Sequence, residues 1–154
     1  MIGDGPTKTE MVNLAEAKGL DNLLFLDRKP KSAMPEILAS LDISLVPLAG
    51  RFPGTMPSKI YEALASGAVP ITAKACEGES LLTQFDCGAC FEPGDSNELA
   101  AAIRSIALDD ELRKSMKQNG FAVSQRFDRT VIAKRTEKLL DAVIEGQSLP
   151  DVDW

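Results

Sequence analysis

Short apolar runs alternate with helix-like stretches along most of this chain. Four of the runs lack the polar alternation of half-exposed strands, which is typical of strands covered on both faces. These runs are Leu23–Leu26, Ile43–Leu48, Val69–Thr72 and Ala89–Glu92. Between and after them, apolar residues recur at the spacing of amphipathic helices. The pattern predicts an α/β fold with a Rossmann-like parallel sheet of about four strands and flanking helices.

Proline and glycine mark several of the predicted helix boundaries. Pro6 suits the first position of a helix that Gly19 would end, and Gly67 would end a helix that begins at Pro57. Further helices are predicted over residues 32–40, 78–85, 96–108, 110–126 and 130–145. No linker divides the chain, so we predict one domain over residues 1–146 and an acidic tail over residues 147–154.

Charge and composition exclude several classes of function. The formal net charge of −6 and the pI of about 4.7 give no basic field for nucleic acid. No run approaches the roughly 20 apolar residues of a membrane span, so we expect no direct span and a cytoplasmic location. The chain has no histidine, which removes the Ser/His/Asp and Cys/His nucleophile systems and the commonest metal ligand. We therefore predict no metal site and assign no catalytic residue.

A C-x-x-C motif, Cys87 to Cys90, suggests a redox or zinc site. A closed zinc site needs four ligands, and a thioredoxin-like motif should open a helix that follows a strand. Here the motif follows a predicted helix and leads into a predicted strand. We favour buried, chemically inert thiols and keep a dithiol redox protein as an alternative.

A glycine-bearing loop that leads into a helix is the main candidate site. Such a helix start presents free backbone N–H groups and the positive end of the helix dipole, which together attract anions. Gly54 and Thr55 lie in the loop, and Ser58 and Lys59 add a hydroxyl and a positive charge. Glu62 lies one helical turn beyond Ser58, so it can share a face with the anion. A solvated surface glutamate is the alternative for Glu62.

The same segment carries a resemblance to a known family. Pro57–Gly67 with Pro70-Ile71, preceded by Gly19–Leu26 and followed by Gly78-Glu79, Gly88 and Glu92–Asp95, resembles the C-terminal domain of GT-B glycosyltransferases, the retaining family 4. The match covers about Gly3 to Ile144. It is most similar to bacterial members that build surface polysaccharides.

The resemblance implies a donor site for a nucleotide diphosphate sugar, with a uracil base, and no cofactor. In the family, Glu62 would be the second glutamate of an E-x7-E pair that contacts the ribose or nearby hydroxyls. The first glutamate is replaced here by Gly54, so the carboxylate tied to the transferred sugar is absent. Gly5 and Arg28 are also assigned to the donor, and Arg28 would lie near the base. A solvated loop is the alternative for Arg28.

A second departure from the family concerns the start of the domain. The family has two strands before this region, with an Arg and a Lys between them that contact the diphosphate, and the resemblance places Met1–Gly3 at the end of the second strand. The family sheet would set the missing pair between Leu23–Leu26 and Ile43–Leu48. We therefore expect an incomplete GT-B C-terminal domain whose gap either closes or is filled by another chain.

These expectations define the predicted function and its rivals. The parent protein would move a sugar from a nucleotide diphosphate donor to a glycan or lipid-linked acceptor, and the chain alone would be inactive. Its partners would be the donor and a missing N-terminal domain or partner chain, which could hold it at the inner membrane face; a homo-oligomer is a further alternative. The rival functions are a non-catalytic binding module and a decayed gene fragment.

Overall fold

The structure is a computed structural model that describes residues 1–150 of the chain. It forms two compact units, Met1–Ile37 and the chain from Leu38 onward. The predicted acidic tail reaches past the described residues, so the boundary at residue 146 stays a prediction.

The first unit holds little regular structure. Helix α1 spans Lys8–Ala17, a short 3-10 helix spans Lys31–Ala33, and α2 (Met34–Ala39) continues past the end of the unit. The predicted helix over residues 32–40 is therefore present, with its first turn tightened to the 3-10 form. The helix after Pro6 begins at Lys8.

The predicted strand Leu23–Leu26 is wrong in extent. Only Leu26 pairs, through a single parallel bridge to Ile2, with the Leu26 amide donating to the Met1 carbonyl over 2.8 Å. Leu24 is 69% exposed, so the run lacks the two-sided cover that a buried strand needs. An apolar run forms a strand only where a neighbouring strand supplies hydrogen bonds along its length.

The second unit contains the other predicted strands in one parallel sheet. Strands β1 (Ile43–Val46), β2 (Val69–Ala73) and β3 (Ala89–Phe91) lie in the order β1-β2-β3. Ile43 is opposite Val69, and Ile71 is opposite Ala89. The helices are α3 (Lys59–Ala65), α4 (Glu77–Gln84), α5 (Ser96–Leu108), α6 (Asp110–Ser124) and α7 (Arg129–Ile144), with a 3-10 turn at Gln125–Phe127. This α/β architecture confirms the predicted fold class.

The core lies on both faces of β2, every residue of which is buried. On one face, residues of β2 pack with Phe91 and with Ile106 of α5. On the other, residues of α3, α4 and α6 pack together around Leu64, Leu82 and Val123. Thr72 is the polar residue of the central strand, and its hydroxyl donates to the Val46 carbonyl over 3.1 Å. Two-sided burial explains why β2 has no polar alternation in its sequence.

Candidate functional site

The carboxyl ends of the three parallel strands bring three loops to one edge of the sheet. Residues 47–58 form the β1–α3 loop, residues 74–76 the β2–α4 turn, and residues 92–95 the β3–α5 loop. In open α/β sheets this edge is where ligands bind. The candidate residues Gly54, Thr55 and Ser58 all lie in the first of these loops.

The β1–α3 loop has a defined shape. The Thr55 amide donates to the Phe52 carbonyl over 3.1 Å, and Gly54 between them has φ +76°. A residue with a side chain is strained in this left-handed conformation, whereas glycine is not. No atom lies within 4 Å of where a Cβ at Gly54 would be, so the requirement for glycine here is conformational and not steric.

The start of α3 leaves backbone donors free. The amides of Ile60 and Tyr61 bond to the carbonyls of Pro57 and Ser58, at 3.0 and 3.1 Å. Within residues 1–150, the amides of Ser58 and Lys59 make no hydrogen bond, and the Ser58 side chain does not cap the helix. These donors, with the exposed Lys59 side chain, could bind an anion of phosphate size.

Ser58 and Glu62 line one groove beside α3. The groove has a volume of about 530 Å³, and the start of α7, including Arg129, lines its other side. At its base the rings of Tyr61 and Phe127 lie 4.7 Å apart between centroids. The predicted common face for Ser58 and Glu62 is therefore present, while their contact with a ligand stays a prediction.

Gly5 and Arg28 come together in the first unit. With Gly3 and Asp4 they line a concave pocket that has a volume of about 470 Å³. Nearby, the Lys8 ammonium lies 2.6 Å from the Asp27 carboxylate and lowers the pKa of that carboxyl, mainly through the hydrogen bond between them. Gly5 and Arg28 therefore line the same pocket, while their contact with a donor stays a prediction.

Ion pairs between the loops were not foreseen from the sequence. Arg51 of the β1–α3 loop pairs with Glu92 of the β3–α5 loop. Lys74 lies 2.5 Å from Glu98, which also accepts the Glu92 amide. The Lys74 hydrogen bond is the main cause that lowers the pKa of Glu98, and the same bond raises the pKa of Lys74. Because these partners are 24 to 41 residues apart, no local pattern reveals them.

The carboxylates Glu77 and Glu79 do not converge as an acid and base would. Glu77 is exposed, and Glu79 turns back to accept the Ala75 amide over 2.6 Å. Glu77 is therefore a surface residue, and Glu79 bonds the backbone just before α4. Among residues 1–150, no cluster of three or more Cys, Asp or Glu side chains is arranged to hold a metal ion.

The three cysteines are buried or half-buried. Cys87 precedes β3 and Cys90 lies within it, so the motif does not open a helix. Burial is the main cause that raises the pKa of Cys87 to about 11 and that of Cys90 to about 12. All three thiols are free, which fits inert core residues better than a dithiol redox centre.

The fold and the loop–helix edge define an α/β domain of the nucleotide-binding kind. The family model "Glycosyl transferases group 1" matches residues 1–123. This chain belongs to that family of glycosyltransferases.

Relatives of known name agree with this assignment. The chain is 31% identical over 112 residues, 70% of its length, to a putative colanic acid biosynthesis glycosyl transferase, WcaI, of Escherichia coli. It is 26% identical over 151 residues, 97% of its length, to an exopolysaccharide phosphotransferase of Streptomyces coelicolor. The chain spans only 28% and 16% of the length of these two relatives.

A solved structure with its donor superimposes well. Anabaena Alr3699/HepE in complex with UDP-glucose matches with a TM-score of 0.76 and 26% identity, over 92% of this chain and 40% of that one. The expected GT-B fold is thereby confirmed. Within the described residues, no helix has the length and apolar character needed to span a membrane.

Proposed function

We propose that this chain forms the donor-binding part of a glycosyltransferase that uses a UDP-linked sugar. The observation that carries the proposal is the likeness, over 92% of the chain, to a structure that contains UDP-glucose. The acceptor would be a glycan or lipid-linked glycan, because the two relatives reported above are named for colanic acid biosynthesis and for exopolysaccharide.

The start of α3 would bind the diphosphate. The unpaired amides of Ser58 and Lys59 point to an anion, and the Lys59 ammonium adds a charge. Charge builds on the diphosphate as it leaves the sugar, so donors already in place stabilise the transition state without rearranging. Gly54 allows a close approach of the backbone to the ligand.

The groove beside α3 would orient the sugar part of the nucleotide. Glu62 can accept hydrogen bonds from ribose hydroxyls, and a charged acceptor makes such bonds stronger than a neutral one. Gly5 and Arg28 remain donor contacts that the resemblance to the family implies, with Arg28 near the base.

The chain alone would not transfer sugar. It spans at most 40% of the named relatives and the superimposed structure, and acceptor binding would need the rest of such a protein or a partner chain. That remaining part would also exclude water and align the acceptor. We propose a cytoplasmic location, with any attachment to the inner membrane face made by that part.

Calorimetric titration of the purified chain with UDP, GDP and UDP-glucose tests the proposal. UDP should bind, and Lys59→Ala should weaken binding about 5-fold through loss of one exposed phosphate contact. Glu62→Gln keeps a neutral acceptor oxygen, so it should weaken binding about 5-fold, the difference between a charge-assisted and a neutral hydrogen bond. Lys138→Ala and Glu137→Gln, on exposed side chains of α7, are the matched controls and should not change the affinity.

Two results would contradict the proposal in different ways. If no nucleotide binds, the chain is not a donor-binding part, and the non-catalytic or decayed alternatives gain support. If the chain alone turns over UDP-glucose, the claim that it needs a further domain is wrong.

A further inference from the structure

A strained alanine occupies the β2–α4 turn. Ala75 has φ +59°, a left-handed conformation that costs a residue with a side chain about 1–2 kcal/mol. Such a conformation persists only where surrounding contacts over-determine it. The contact on its amide is the carboxylate of Glu79, whose Oε2 accepts the Ala75 N–H over 2.6 Å.

The β1–α3 loop is bonded to the strained turn and to the first residue of α4. The Phe52 amide donates to the Ala75 carbonyl over 3.0 Å, and the Glu77 amide donates to the Thr55 carbonyl over 3.0 Å. The four residues from Phe52 to Thr55, with Gly54 among them, are therefore held at one end by the turn and at the other by the start of α4. Without these two bonds, this segment would keep, among the backbone hydrogen bonds of the described residues, its internal Thr55–Phe52 bond.

Packing also brings the first turn of α4 into direct contact with the first turn of α3. A Cβ placed on Gly78 would lie 2.3 Å from Cδ1 of Ile60 and 3.5 Å from Cδ of Pro57. The start of α4 is therefore in direct contact with the residues that begin α3. A change in the turn will be passed to the loop and to the helix start together.

We propose that Glu79 is a positioning residue for the diphosphate site, acting through Ala75 on the Phe52–Thr55 segment. Its carboxylate fixes the left-handed turn, the turn presents the Ala75 carbonyl to Phe52, and the loop takes the shape that leads into Ser58. The role of the loop in binding rests on the proposed function, whereas the fastening of the loop does not.

Amide hydrogen exchange tests the fastening without any ligand. In Glu79→Ala, the Phe52 and Glu77 amides should exchange about 10-fold faster, while the core amide of Ile71 is unchanged. Glu79→Gln keeps an oxygen that can accept the Ala75 N–H, so it should restore slow exchange. Glu77→Ala removes the same charge from the same helical turn but keeps its backbone amide, so Phe52 exchange should not change.

Either of two exchange results would overturn the proposal. One is unchanged exchange at Phe52 in Glu79→Ala. The other is an equal rise at Phe52 and Ile71, which would mean that Glu79 supports the whole fold and not the loop.

UDP titration of the same variants tests the link to the site. Glu79→Ala should weaken UDP binding about 5-fold and Glu79→Gln should restore it, in parallel with the exchange rates. If the loop loosens and UDP affinity is unchanged, the positioning role is wrong. If the unaltered chain does not bind UDP, the proposed function fails, and the exchange data still decide whether Glu79 fastens the loop.

Discussion

Gly88 sits where β3 approaches β2 too closely for any side chain. A Cβ at this position would lie 2.4 Å from the Pro70 carbonyl oxygen and 2.9 Å from Cδ1 of Leu82. Since ordinary contact begins at 3.4 Å, Gly88→Ala requires a separation of about 1 Å from a backbone atom of the central strand. Both neighbours are fully buried, and a carbonyl in a strand cannot rotate away as a side chain does.

We expect Gly88→Ala to lower the free energy of unfolding by about 3 kcal/mol, the upper part of the range for overpacked cores. With a urea slope of about 2 kcal/mol/M, the unfolding midpoint should fall by about 1.5 M. Gly50→Ala is the matched control, because its Cβ would meet only the Phe52 ring at 3.7 Å, and its stability should change by less than about 1 kcal/mol. Equal midpoints for the two variants would refute the claim that close packing of β3 on β2 requires glycine.

Three further predictions concern the loop edge and the thiols. Ala75→Gly should raise the free energy of unfolding by about 0.5–1 kcal/mol in urea titration, because relief of the left-handed strain exceeds the entropy cost of glycine; a loss of stability would contradict the strain. The pKa of Glu98 is lowered by Lys74, so the pair stabilises the fold above the ordinary carboxyl pKa of 4.5, and the stability is lost as the pH falls below it. The assay range is pH 6 to pH 4. Over this range the urea midpoint of Glu98→Gln should fall less than that of the unaltered chain. An equal fall would exclude the Lys74–Glu98 pair as a cause of the pH dependence of stability. Burial raises the pKa of Cys87 to about 11 and that of Cys90 to about 12, so at pH 8 they should react with iodoacetamide about 100-fold and about 1,000-fold more slowly, respectively, when folded than in urea; rapid labelling of these two cysteines in the folded chain would support the dithiol alternative.

The second unit could be predicted in detail because its signals are local. Asp95 illustrates this: it directly precedes the apolar stripe of α5, a position typical of a helix cap, and its carboxylate accepts the amides of Asn97 and Glu98 over 2.9 Å each. The predicted helix over residues 96–108 has the bounds that the structure gives for α5. Strand β2 was recognisable because two-sided burial removes polar residues from the sequence, whereas β1 and β3 are only partly buried and were recognised from their short apolar runs.

The features that were missed depend on pairing between distant parts of the chain. Leu23–Leu26 has the composition of a strand, and its failure to form one depends on which segment lies beside it. The Arg51–Glu92 pair joins residues 41 positions apart. The Glu79 carboxylate and the Ala75 amide are only four positions apart, but an alanine in the sequence does not indicate a left-handed backbone conformation, so this hydrogen bond could not be predicted.

Gly54 shows how the backbone can account for a departure from the family pattern. The position that the resemblance matches to the first glutamate of the E-x7-E pair has φ +76°, and the nearby Phe52 and Thr55 are bonded to Ala75 of the β2–α4 turn and to Glu77 of α4. A glutamate there would have to adopt the left-handed conformation, at a cost of about 1–2 kcal/mol, or change the shape of the loop. The absence of a glutamate at position 54 and the left-handed conformation of Gly54 are thus both consequences of the shape of the loop. On the proposed function, any contact with the transferred sugar would come from a loop shaped by glycine and held by Ala75 and Glu77, and not from a carboxylate at position 54.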